Sequence, residues 1–246
     1  MNSFLFIIPR TPIQFRTELR EKLWNLTVQS LLNQSYNNWK ALIIDDFNLI
    51  DGKLIYINSP AIKKGEKLQA ALRIIENWEN KPDYIIRFDD DDIISPSILD
   101  FLKDKEFDVA ADEYHTFYEI KSGYFCQSKR PWLANSVIHK YEHAKTILPD
   151  GRPLLDQDHS KEWRHYYQNK NILQLSQKTP VYCRIISPTS VTGKSDKNYL
   201  KYVLSFGLWG KNNYLIKYFG QTSFFNIVKK LFKLKVKINF AYYFPR

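Results

Sequence analysis

Four consecutive aspartates, Asp89 to Asp92, stand in the stretch RFDDDDIISPSIL with apolar residues on both sides. Carboxylates this close repel one another, and taking them out of water is costly unless a cation or hydrogen-bond donors compensate. A second acidic pair, Asp45 and Asp46, closes the run ALIIDD. Oxygen donors gathered in this way suit a hard divalent cation such as Mg²⁺ or Mn²⁺, which takes carboxylate and phosphate oxygens together.

Such groups need a scaffold that brings them to one place. Short, nearly continuous apolar runs occur at FLFII (Phe4 to Ile8), ALII (Ala41 to Ile44), LIYI (Leu54 to Ile57), YIIRF (Tyr84 to Phe88) and FDVAA (Phe107 to Ala111). Continuous rather than alternating runs predict strands covered on both faces. Between them, Leu19, Leu23, Leu26 and Ser30, and again Leu68, Ala71, Leu72 and Ile75, keep helical spacing. Ser95 followed by Pro96 reads as an N-cap with proline at the first helical position. Strands alternating with helices predict an α/β fold with a mainly parallel, doubly wound sheet. In open α/β sheets ligands bind beyond the carboxyl ends of the strands. Asp45 and Asp46 follow ALII directly, and Asp89 to Asp92 follow YIIRF, so both acidic groups belong to one rim. Acidic residues also mark turns and helix starts, a reading that suits a single Asp better than this doubled pattern.

The segments SLLNQSYNNWKALIIDD, Ser30 to Asp46, and YIIRFDDDDIISPSIL resemble family two of the inverting glycosyltransferases over roughly residues 4–103. That resemblance implies the GT-A fold, Rossmann-like, with a mainly parallel sheet and flanking helices. It also implies transfer of a sugar from a nucleotide-diphosphate donor, a UDP-sugar foremost, to a glycan or lipid-linked glycan hydroxyl in bacterial surface polysaccharide synthesis. Carried onto this chain, Pro9 ends the first strand beside the nucleotide base, and Asp45 and Asp46 contact base or ribose. Asp89 faces the ribose or the metal, and Asp91 is the direct ligand of Mn²⁺ or Mg²⁺. Inverting transfer needs a general base for the acceptor hydroxyl. The resemblance places it in RPLLDQDHSKEWRHYY, with Asp158 first and Asp156 second, and His159 or Trp163 lining the acceptor pocket. Two departures stand out: IPRTP replaces the family's usual sequence at the first strand end, and no histidine follows His165 to serve as a further ligand.

The boundaries expected are a catalytic domain over 1–195, with a donor half to about 103 and an acceptor half from about 104, and an extension over 196–246. The net charge of +10 belongs to that extension. Beyond Asp196 there is no acidic residue, while ten lysines and arginines match the whole excess of 36 basic over 26 acidic side chains. Lysines interleaved with aromatics there suit an anionic membrane surface; a solvated face packed on the main domain is the alternative. A short N-terminal apolar run, no stretch approaching a bilayer span, and two cysteines without metal spacing predict a cytoplasmic protein, peripheral to the membrane at most. Cys126 and Cys183 are read as reduced core thiols. His139 and His143, four apart, are read as two exposed histidines. TGKS, Thr192 to Ser195, lacks the earlier glycine of a phosphate loop, whereas Ser187, Thr189, Ser190 and Thr192 suit diphosphate oxygens on a closing loop. Two rival functions remain. A nucleotidyltransferase would carry a glycine-rich loop after the first strand, and IPRTP has no glycine. A polyanion-binding protein would spread its basic residues over a platform, and charge balance through residue 196 speaks against nucleic acid as a partner.

Overall fold

The run FLFIIP becomes β1 (Phe4–Pro9), buried along its whole length. The computed structural model of the chain describes residues 1–129, 132, 134–157, 165–187 and 203–219. In chain order β1 is followed by α1 (Glu18–Leu32), β2 (Trp39–Asp45), β3 (Leu49–Asp51), β4 (Leu54–Asn58), α2 (Lys64–Glu76) and β5 (Tyr84–Arg87). Then come β6 (Ile93–Ile94), α3 (Ile98–Leu102), β7 (Val109–Asp112), β8 (Tyr114–Glu119), β9 (Tyr124–Lys129), β10 (Val137–Lys140) and α4 (Tyr141–Ala144). β11 (Ile172–Leu175), β12 (Tyr182–Ile186) and α5 (Asn213–Tyr218) complete the described elements.

The side chains of β1 show why its apolar run is unbroken. Phe4, Phe6 and Ile8 enter a core shared with Trp24 and Leu31 of α1. Leu5 and Ile7 enter another with Leu68, Ala71, Leu72 and Ile75 of α2. Alternate residues of a strand face opposite sides, so α1 and α2 cover the two faces of the sheet. Each large apolar side chain buried in this way contributes roughly 1.5 to 3 kcal/mol. The expected strands and the two long helices are all present. α3, however, starts at Ile98 with Ser97 as its cap residue, so Ser95 is not the N-cap expected. The Ser95 backbone instead bonds Val181 and Gln34, fixing the chain between β6 and α3.

The strands form two sheets. One has eight strands in the order β11-β7-β10-β5-β1-β2-β4-β3, the other four in the order β6-β12-β8-β9. Parallel pairing joins β5, β1, β2 and β4, as well as β7 and β11. β10 is antiparallel to both β5 and β7, and β3 to β4 across the turn at Gly52, whose φ of +57° suits glycine. The smaller sheet pairs β12 parallel to β8 and antiparallel to β6, with β9 antiparallel to β8. The expected GT-A architecture, a single mainly parallel sheet, is therefore corrected to two mixed sheets. The physical reason lies in the second half: β10 inserts between two strands that run against it, and only Glu113 separates β7 from β8, turning the chain into the smaller sheet. α1 lies against both sheets, because Leu23 and Leu26 pack with Ile93, Cys183 and Ile185 of the smaller one.

Candidate functional site

The connections on either side of β1 place the acidic residues. From β1 the chain passes through α1 to β2 on one side, and through α2 it returns to β5 on the other. Such a reversal opens a crevice at the carboxyl ends of the strands. Pro9 ends β1 opposite Ile44, and the Arg10 backbone N–H donates to the Ile44 carbonyl. Asp45 ends β2, and Asp89 to Asp92 follow β5 after one residue, Phe88. The single rim expected from the two acidic groups is thus formed.

The four aspartates point in different directions. Asp90 turns inward: its Oδ2 accepts from Arg10 NH1 at 2.9 Å and from the Thr11 N–H at 2.8 Å, and its Oδ1 accepts from Arg20 NH2 at 2.9 Å. Asp89, Asp91 and Asp92 converge, with one carboxylate oxygen from each lying within 4.8 Å of the others. Asp89 pairs with Lys64 of the first turn of α2. Asp91 pairs with Arg20 NH1 at 3.3 Å. Asp92 is almost wholly buried; its Oδ1 accepts from the Ile185 N–H at 3.0 Å and its Oδ2 from Asn135 Nδ2 at 3.4 Å. Its carbonyl accepts from Thr27 Oγ1 at 2.7 Å.

These surroundings set the charge of each carboxyl group differently. Burial and then the Asp90 and Asp89 charges push Asp91 up to about 6, against the pull of Arg20 and Arg184. Burial, then Asp91 and Asp89, raise Asp92 well above the usual carboxylate range. Asp89 goes the other way, because the Lys64 and Arg87 charges and side-chain bonds from Lys64 and Asn135 outweigh its burial. Three converging carboxylates resist ionising together unless a positive charge joins them. Their oxygen donors fit a hard divalent cation, and two of the three groups keep some exposure to the crevice.

Asp45 and Asp46 are held by arginines. Arg16 pairs with Asp45 Oδ1 and, at 3.0 Å, with Asp46 Oδ2, while Arg10 Nε lies 3.6 Å from Asp45 Oδ2. Arg10 also donates to both oxygens of Glu21, at 3.0 and 3.2 Å, and its guanidinium carbon sits 4.3 Å from the Trp24 ring centroid. Thr17 caps α1 by accepting from the Arg20 N–H at 3.3 Å, which places Arg20 one turn inside the helix and against the aspartates. Lys67 reaches from α2 to the Arg10 carbonyl at 2.8 Å. Arg10, Arg16, Arg20, Lys64 and Asn135 were not singled out as site residues in the sequence. The signal available was three arginines within eleven residues of the first strand end, in a half of the chain that carries the acidic groups.

On the far side of α2, Asp156 lies in a 3-10 turn, Leu154–Asp156, and is buried. A Cβ on Gly65 would fall 2.6 Å from Asp156 Oδ2, so this carboxylate rests on the first turn of α2, next to the lysine that pairs with Asp89. The Gln157 carbonyl accepts from Arg87 NH1 at 3.2 Å, tying the segment to the end of β5. Asp158, His159 and Trp163 lie outside the described residues, as do Thr189, Ser190, Thr192, the TGKS segment and residues 220–246. Ser187, which is described, is buried.

The two histidines expected to be exposed are not. His139 is buried in β10 with Nδ1 2.8 Å from the Tyr167 hydroxyl, and burial holds it at about 3. His143 sits in α4 between Asp108, at 3.0 Å, and the Tyr166 hydroxyl, at 2.9 Å. Cys126 and Cys183 are buried and unbridged, as expected. Among the described residues no helix is long and apolar enough to cross a membrane.

No family model matches the chain, and no curated protein is similar to it in sequence. The expected membership of family two, tied to a single GT-A sheet, is corrected by the two mixed sheets. Similarity appears among solved structures. TarS 1–349 of S. aureus in complex with UDP-GlcNAc matches 97% of this chain and 77% of its own, with 14% identity and a TM-score of 0.53. The same TarS segment in a second structure matches at 16% identity, with equal coverage and a TM-score of 0.48. The glycosyltransferase GlyE of Streptococcus pneumoniae TIGR4 matches 94% of this chain and 63% of its own, with 10% identity and a TM-score of 0.44. The chain therefore shares the fold of the TarS segment solved in complex with UDP-GlcNAc.

Proposed function

We propose that the chain is a metal-dependent glycosyltransferase, moving a sugar from a nucleotide-diphosphate donor to a glycan hydroxyl with inversion. The observation that carries this reading is the convergence of Asp89, Asp91 and Asp92 at the strand-end crevice, on a fold shared with a protein solved in complex with UDP-GlcNAc. A UDP-sugar is accordingly the first donor to try, and Mn²⁺ or Mg²⁺ the cation. Asp91, with Asp89 and Asp92, would hold that cation. When bound, it supplies positive charge to the departing diphosphate as the sugar–oxygen bond breaks. Pro9, Asp45 and Asp46 form the part of the rim where base and ribose would lie.

On the acceptor side, a carboxylate takes the proton of the attacking hydroxyl while the acceptor oxygen bonds the sugar carbon and the diphosphate leaves with the electron pair. Asp158 is the first choice for that base and Asp156 the second. The position of Asp156 against α2, beside the lysine that pairs with Asp89, supports placing this segment at the acceptor side. A bacterial surface polysaccharide, built on a lipid-linked acceptor at the inner face of the membrane, is the setting proposed. A melting series with UDP, Mn²⁺ and both together tests the reading, since a ligand that binds the folded state raises its apparent stability by mass action. The expected result is a larger shift with the pair than with either alone, and release of UDP from UDP-sugars only with the cation. No shift with the pair, or equal turnover in a chelator, would sink it.

A further inference from the structure

Asn135 is 7% exposed and stands in a 3-10 turn, Ala134–Ser136, against the acidic cluster. Its Nδ2 donates to Asp92 Oδ2 at 3.4 Å, and Asn135 is among the groups that hold the Asp89 carboxyl below its ordinary range. The NH₂ of the carboxamide is thus the end turned toward Asp92. The other end, Oδ1, is buried and has no hydrogen-bond partner among the described residues. An unmet acceptor at that depth is costly, because nothing replaces the water it gave up on burial. Turning the carboxamide over exchanges its oxygen and NH₂ with little change of shape, so a cation joining the carboxylates, which repels the NH₂, would bring the unsatisfied oxygen toward itself.

We propose that Asn135 Oδ1 is a further ligand of the divalent cation, a neutral oxygen added to the three carboxylates of Asp89, Asp91 and Asp92. This rests on the proposed function, because it concerns the same cation. Amide oxygens are ordinary ligands of hard divalent cations. A neutral donor also adds a ligand without a further negative charge, which the cluster is poorly placed to accept. The role goes to a residue some forty positions beyond the aspartates, on the turn leading into β10, so the cation would join the donor half to the antiparallel insertion.

The test is Mn²⁺ binding to the full chain, read as free Mn²⁺ by electron paramagnetic resonance, with circular dichroism melting alongside. Asn135→Ala removes the oxygen and should weaken binding roughly 10- to 100-fold. Asn135→Asp keeps an oxygen at that place and should bind within a few-fold of the parent. Should Asn135→Ala fail to fold, Asn135→Ser takes its place, with the same loss expected because its shorter side chain falls short of the site. Parent-like binding by the Ala or Ser variant overturns the proposal while leaving the metal reading intact. Equal weakening in the Asp variant also overturns it, because the amide would then act only through its NH₂. Absence of Mn²⁺ binding by the parent chain overturns both readings together.

Discussion

Arg10 NH1 lies 2.9 Å from Asp90 Oδ2, and both side chains are almost completely withdrawn from solvent. Asp90 is also the partner of Arg20 at 2.9 Å. One of four consecutive aspartates is therefore the anchor of two arginines. Removing one member of a buried pair strands the other charge, at a cost of about 3 to 5 kcal/mol. Asp90→Ala should lose stability on that scale, read from the midpoint of urea denaturation. A midpoint near the parent's would mean that Arg10 and Arg20 find other partners and that the pair has little structural weight.

Asp91→Asn should behave in the opposite way. Its carboxyl is pushed up to about 6 by burial and by Asp90 and Asp89, so replacing it with a neutral amide relieves repulsion. The melting temperature should hold or rise while cation-dependent transfer is lost. A variant that keeps near-parent activity with Mn²⁺ would remove Asp91 from the ligand set.

A pH effect follows from Asp112, which burial pushes up to about 7 although the Tyr114 and Val181 N–H groups bond it. With the folded value above the unfolded one, the folded state binds more protons, and stability falls as pH rises between about 4 and 7. Above 7 the contribution is flat. His139, held low by burial, works in the reverse sense as pH falls below its ordinary value. Comparing the parent with Asp112→Asn cancels that opposing slope. The parent's melting temperature, relative to the variant's, should drop across this window and level off above it; parallel profiles would contradict the shift.

On the acceptor side, Asp158→Asn should slow transfer roughly 10²- to 10⁴-fold while donor affinity barely changes. Asp156→Asn should be milder. Gly65→Ala should resemble Asp156→Asn, since its Cβ would fall 2.6 Å from Asp156 Oδ2 and must displace that carboxylate. Helix propensity favours alanine there by up to about 1 kcal/mol, so lost activity without lost stability is the expected pattern. If Asp156→Asn is the more damaging of the two substitutions, the roles of Asp156 and Asp158 are exchanged. If neither lowers turnover tenfold, the base lies outside this segment.

The first half of the fold was legible because burial on both faces leaves a continuous apolar signature, as in FLFII and ALII, and because helical spacing in Leu68 to Ile75 marks the face that covers them. The second half was not. β10 is four residues long and contains His139 and Lys140, so nothing in VIHK announces a strand or its antiparallel direction. The smaller sheet draws β6 and β12 from segments about ninety residues apart, and two-residue β6 carries no periodicity. At the site, strand ends and acidic runs located the rim. The sequence could not show which aspartate turns inward, because Asp90 is selected by the geometry of Arg10 and Arg20 and not by its place in the run.

Asp92 is bonded on one side to the Ile185 N–H of the smaller sheet and on the other, through its carbonyl, to Thr27 of α1. The acidic cluster thus sits on the seam where the smaller sheet meets the helix covering the larger one. Opening that seam and dismantling the cluster are then one thermodynamic event. A cation that binds the closed seam should lower the frequency of its opening in proportion to its occupancy. The Ile185 amide proton, donated to Asp92, becomes a reporter of that coupling, and its exchange with deuterated solvent should slow as Mg²⁺ is added.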